Sequence, residues 1–65
     1  MKYQYRVMWR DSRQTRDPIV SNTYKFIEAH SVPEAIQIAS YEYGVGIAWN
    51  VPILEVKIDK ELENG

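Results

Sequence analysis

Residues 2–10 alternate without a break: Tyr3, Tyr5, Val7 and Trp9 fall on one side of an extended chain, and Lys2, Gln4, Arg6, Met8 and Arg10 on the other. Successive side chains of a strand point to opposite faces, so this pattern specifies a strand with one apolar and one polar face. The apolar row must be covered by the remaining elements of a 65-residue chain that has no cysteine. A domain of this size buries roughly 60% of its unfolded surface and takes its stability from packing, with self-association as a further source.

Residues 11–18 contain turn formers and no period, which predicts a loop longer than an ordinary hairpin turn. A second strand is expected over residues 24–29. Ile27 and Ala29 should face inward and Tyr24, Phe26 and Glu28 outward, because the opposite facing would bury an unpaired carboxylate. Ser31-Val32-Pro33-Glu34 is a capping box and starts a helix: the Ser31 hydroxyl can cap the helix amides and Glu34 can reach back to the Ser31 amide. Val32, Ala35, Ile36, Ala39 and Tyr43 form its apolar stripe with Ile38 at the shoulder, Glu34, Gln37 and Tyr41 lie opposite, and Gly44 is the expected left-handed cap.

Residues 45–52 read as irregular. Residues 53–59 return to a two-residue period, with Leu54, Val56 and Ile58 expected inward and Glu55, Lys57 and Asp59 outward, and residues 61–65 are expected to fray. A right-handed crossover from the second strand through the helix to the third leaves a gap for the first strand between them. The expectation is one α+β domain over residues 1–65. It is a ββαβ chain with a three-stranded antiparallel sheet in the order 2-1-3, one helix on one face and the other face open.

Charge is divided unevenly along the chain. Residues 1–16 hold Lys2, Arg6, Arg10, Arg13 and Arg16 against Asp11, and the remainder holds three lysines against Asp17, Glu28, Glu34, Glu42, Glu55, Asp59, Glu61 and Glu63. A dipolar surface is the expectation, suited to steering a charged partner. The alternating polar and aromatic start is unlike a secretory signal, and no stretch has the roughly 18 apolar residues of a membrane span. A soluble cytoplasmic protein with no membrane partner is expected.

Catalysis finds little support. His30 stands alone just before the helix cap, Ser31 serves as that cap, and the carboxylates are scattered over outward positions. Gly44-Val45-Gly46-Ile47-Ala48-Trp49 begins like a phosphate-binding loop. Trp49 occupies the third glycine position, however, and the segment follows a helix where the mechanism requires it to follow a strand and open a helix. No enzyme activity, cofactor or metal is expected.

A binding role fits better. The open face should present Lys2, Gln4, Arg6, Met8 and Arg10 at its centre, Tyr24 and Phe26 on one side and Lys57 on the other. Aromatics interleaved with arginines suit protein anchors, and they also suit base stacking by a single-strand nucleic-acid binder. Glu28, Glu55 and Asp59 share that face and the net charge is -1, which weighs against nucleic acid. Sheet faces packed together in a homodimer are a third reading. Arg10, Arg13 and Arg16 recur every third residue through the hairpin loop, where they could clamp phosphates or an acidic protein. The expected partner-binding set is therefore Arg6, Arg10, Arg13, Arg16, Tyr24, Phe26 and Lys57, with Ile38 and Tyr41 on the helix flank as a second patch.

The stretch from Tyr24 through Tyr43, followed by Leu54-Glu55-Val56-Lys57-Ile58, resembles the small short-tailed-phage proteins that inhibit host bacterial RNA polymerase. The shared pattern is an apolar strand ending in Ala, a capped helix beginning Glu-Ala, an aromatic-rich helix end and a final Glu-Val strand. The resemblance covers about half the chain and implies a ββαβ fold and a non-catalytic host-takeover inhibitor, docked on RNA polymerase or another host macromolecule in the bacterial cytoplasm. In that family basic side chains of the last strand grip the polymerase. Here Lys57 and Lys60 stand near the matching positions with Asp59 between them, and Arg13 and Arg16 are the candidates to substitute.

Overall fold

A computed structural model of the chain describes residues 1–10 and 22–62. Strand β1 (Lys2–Arg10) lies between β2 (Asn22–Ala29) and β3 (Ile53–Leu62), antiparallel to both, in the order β2-β1-β3. Helix α1 (Val32–Tyr43) joins β2 to β3 and packs on one face of the sheet. The protein is an α+β domain of the expected ββαβ topology.

Each element follows from local chemistry. In β1 the odd-numbered residues Tyr5, Val7 and Trp9 are buried, and Tyr3 packs against their edge. Its register with β2 sets Tyr5 opposite Ile27 and Arg6 opposite Phe26, so Ile27 and Ala29 are buried while Tyr24 and Phe26 stand on the reverse face. At the helix start Ser31 is extended, and its hydroxyl accepts a hydrogen bond from the Glu34 amide at 3.3 Å. The Glu34 carboxylate is directed to Nδ1 of His30, also at 3.3 Å. Gly44 ends the helix at φ 65°, a conformation that costs a glycine almost nothing.

Helix and sheet meet over Ala35 and Ala39, both fully buried, whose short side chains let the helix backbone come close to the strands. Ile38 packs against the core, so the expected stripe is rotated toward it; Val32, Ile36 and Tyr43 keep more than a third of their surface exposed. Tyr43 covers the end of the core, its ring 5.5 Å from that of Trp9, and Lys25 Nζ lies 5.9 Å from the Tyr43 ring on its other contact.

The segment read as irregular proves to be a closed loop. Gly46 and Val51 pair through two backbone hydrogen bonds of 2.6 and 3.2 Å around a 3-10 turn at Ile47–Trp49. Gly46 sits at φ 101°, a backbone conformation that disfavours any side chain. The closure carries Val45 and Val51 into the core, where neither had been expected.

Strand β3 departs from expectation in two ways. Its register with β1 pairs Ile53 with Trp9, Glu55 with Met8, Ile58 with Tyr5 and Lys60 with Gln4, so Leu54 and Asp59 are extra residues at two irregularities of the ladder. Val56 and Ile58 do lie opposite the buried residues Val7 and Tyr5, but the helix does not reach over the outer rim of β3. Leu54 remains 52% exposed and Ile58 54%. The strand also runs to Leu62, opposite Lys2, which overturns the expected fraying of Glu61 and Leu62; residues 63–65 lie outside the described part.

Because the helix seats on two alanines, enlarging one should be costly. Ala39→Leu is expected to destabilise the domain by about 1–3 kcal/mol in urea unfolding, and Ser31→Ala by about 1 kcal/mol through loss of the cap.

Candidate functional site

The sheet face turned away from α1 carries Lys2, Gln4, Arg6, Met8 and Arg10 from β1, flanked by Tyr24, Phe26 and Glu28 of β2 and by Glu55, Lys57 and Lys60 of β3. Register alone brings these groups together: Arg6 stands between Phe26 on one side and Lys57 on the other. Of the expected binding residues, Arg6, Arg10, Tyr24, Phe26 and Lys57 thus share one face. Arg13 and Arg16 lie outside the described residues.

The cations of this face are largely engaged. Arg6 donates from Nη2 to Glu55 Oε1 at 2.9 Å, and its guanidinium carbon lies 5.8 Å from the Tyr24 ring centroid. Its Nε is buried without a hydrogen-bond partner among the described residues. Lys57 Nζ is 3.8 Å from the same Glu55 oxygen, and Lys2 Nζ is 4.0 Å from Glu28. Gln4 donates to Asp59 at 2.8 Å, and Arg10 Nε donates to Asn22 Oδ1 at 3.4 Å.

Basic groups still outnumber acidic ones on this face, Lys2, Arg6, Arg10, Lys57 and Lys60 standing with Glu28, Glu55 and Asp59. Charge is divided along the chain, but folding places basic β1 directly beside the acidic side chains of β2 and β3. The result is a mixed face on which part of the positive charge is paired. Beside these charges, Tyr24 is 53% and Phe26 49% exposed, packed edge to face with ring centroids 5.6 Å apart.

A second feature lies on the helix side. Ile36, Tyr41, Ile47, Trp49, Leu54 and Val56 are among the residues that line an open, mainly apolar groove of about 870 Å³ between α1, the 3-10 turn and β3. Of the helix-flank patch expected from sequence, Tyr41 does stand out into solvent, whereas Ile38 is turned into the core. Ile47, Trp49 and Leu54 were missed as surface groups. The signal available was three apolar residues, Ile47-Ala48-Trp49, set between Gly46 and Pro52, where a solvated turn would be polar.

Among the described residues no group of three or more His, Asp or Glu side chains is placed to hold a metal ion, and no helix is long and apolar enough to cross a membrane. Comparison with protein-family models, curated proteins and solved structures returns no match.

The Arg6–Glu55 contact is only partly exposed and ties the central strand to β3. A double-mutant cycle with Arg6→Met and Glu55→Gln should give a coupling of about 0.5–1 kcal/mol by thermal unfolding. That coupling should shrink in about 1 M salt, where the screening length is about 3 Å.

Proposed function

We propose that this protein is a non-catalytic docking module that binds a protein partner through its open sheet face and modulates that partner. The observation that carries the reading is the Tyr24–Phe26 pair. Two large rings, each about half exposed, are held edge to face on a rigid strand beside Arg6 and Arg10. Aromatic and arginine side chains that are pre-ordered in this way lose little freedom on binding, and such residues dominate the energetics of protein interfaces.

Charge compensation favours protein over nucleic acid as the partner. A phosphate backbone needs several free cations, whereas Arg6, Lys57 and Lys2 each stand near a carboxylate of the same face. A protein surface with an apolar pocket and mixed charge asks for less rearrangement. The resemblance to the short-tailed-phage inhibitors names bacterial RNA polymerase as the first partner to try and inhibition as the mode of action.

Anisotropy titration of the labelled full chain with purified bacterial RNA polymerase tests this, with short single-stranded DNA run in parallel. Tyr24→Ala and Phe26→Ala are each expected to weaken polymerase binding by about 30-fold, the size of an interface hot spot. Arg10/Arg13/Arg16→Ala should weaken it less if the loop only flanks the contact. Absence of polymerase binding removes that partner, and salt-sensitive binding to DNA alone moves the assignment to the nucleic-acid reading. Binding that survives loss of both rings sinks the open-face assignment itself.

A further inference from the structure

We propose that a second copy of this chain pairs with the outer edge of β3, antiparallel about a two-fold axis through Val56, to give a six-stranded sheet with both helices on one side. Among the described residues the outer edge of β3 has no neighbouring strand, since the strand order ends there. Free edges are templates for pairing unless charge, proline or distortion blocks them. Between the two irregularities at Leu54 and Asp59, residues 55–58 keep an unbroken ladder with β1, so this window is regular enough to accept another strand.

Sequence fixes which register the edge would accept. Antiparallel partners across a two-fold axis must lie on the same face, so the axis passes through a residue. Centred on Val56, Glu55 meets Lys57 of the second copy and Lys57 meets its Glu55, while Ile58 of each copy comes to the end of the seam where Leu54 of the other bulges from the ladder. Opposite charges and apolar side chains placed directly across a ladder are the pairs that stabilise sheets. Shifting the axis to Lys57 or to Glu55 sets a like charge against itself, and an axis at Ile58 runs the pairing into the irregularity at Asp59. On β2, the other edge, Lys25 and Glu28 lie on opposite faces and no two-fold register can pair them.

The groove explains what such pairing would bury. Leu54 and Ile58 are each about half exposed at the rim that α1 leaves uncovered, and Tyr41 projects from the helix flank beside it. In the paired sheet the two grooves merge over the new central strands. Leu54, Ile58 and Tyr41 of both copies then fill space that is solvent in one copy. This inference does not depend on the open-face partner, whose aromatic anchors sit on β2.

Sedimentation velocity of the full chain tests the proposal, with circular dichroism melts as the control for folding. A dimer is expected for the native sequence and a folded monomer for Ile58→Lys, a change at an already exposed position. Lys57→Glu opposes carboxylates at both ends of the seam and should raise the dissociation constant roughly tenfold or more, whereas the double swap Glu55→Lys with Lys57→Glu should restore pairing. A nitroxide on Lys60→Cys, the sole thiol, should report a separation of about 20 Å between copies, six ladder steps along paired strands once the extra residue Asp59 of each copy is left out. A monomer at about 1 mM, a dimer unaffected by Ile58→Lys, or a dimer with a label separation far from that distance overturns it.

Discussion

A single twelve-residue helix has to cover a sheet of three strands, and it cannot reach all of it. It settles where the backbone can come closest, over Ala35 and Ala39, and there it shields Tyr5, Val7, Trp9, Ile27 and Ala29 almost completely. Close approach gains dense packing along the central strand at the expense of breadth, because small side chains do not extend the cover sideways. The loop after the helix supplies part of what is missing, delivering Val45 and Val51 through the Gly46–Val51 closure. Beyond that, the outer rim of β3 and the reverse face are left uncovered among the described residues.

On the reverse face the limiting factor is charge. Arg6 sits at its centre with a buried Nε, so its guanidinium has to be held by neighbours if the strand is to stay regular. Glu55 and the Tyr24 ring hold it from β3 and β2 respectively. The same carboxylate lies near Lys57, which makes Glu55 the shared partner of two cations on adjacent strands. The face therefore combines partly paired positive charge with two exposed rings.

How much of this could be read from the chain depends on how local the cause was. The alternation of β1, the Ser31 cap, the Gly44 stop and the inward facing of Ile27 and Ala29 are set within a few residues, and the strand order follows from handedness and pairing. The rotation of the helix toward Ile38, the burial of Val45 and Val51 and the exposure of Leu54 and Ile58 depend on where the helix seats and on a loop closing upon itself. No periodicity encodes those. The two ladder irregularities at Leu54 and Asp59 are likewise a compromise between strands, visible only once β1 and β3 are paired. The split of charge along the sequence does not by itself show pairing: three cations of the open face stand near carboxylates of neighbouring strands. The aromatic anchors and the cations of β1 were legible because a strand's face depends only on parity, whereas the groove was not, since its lining comes from three separate segments.

The strand order also separates the two open surfaces. With β1 between them, Phe26 and the outer edge of β3 are two strand spacings apart, about 10 Å, so a partner seated on the aromatic pair leaves the β3 edge free for a second copy. They are nonetheless linked through one set of side chains. Arg6 contacts the Tyr24 ring at one end and Glu55 at the other, and Glu55 is the residue that would meet Lys57 across the proposed seam. A partner that draws Arg6 away from Glu55 leaves that carboxylate more available to the second copy's Lys57, and a second copy that captures Glu55 frees Arg6 to follow the Tyr24 ring. Should both contacts form, they would favour each other by the same amount, as thermodynamic linkage requires. The physical carrier of that coupling would be the single Arg6 guanidinium, held at once by Glu55 and the Tyr24 ring.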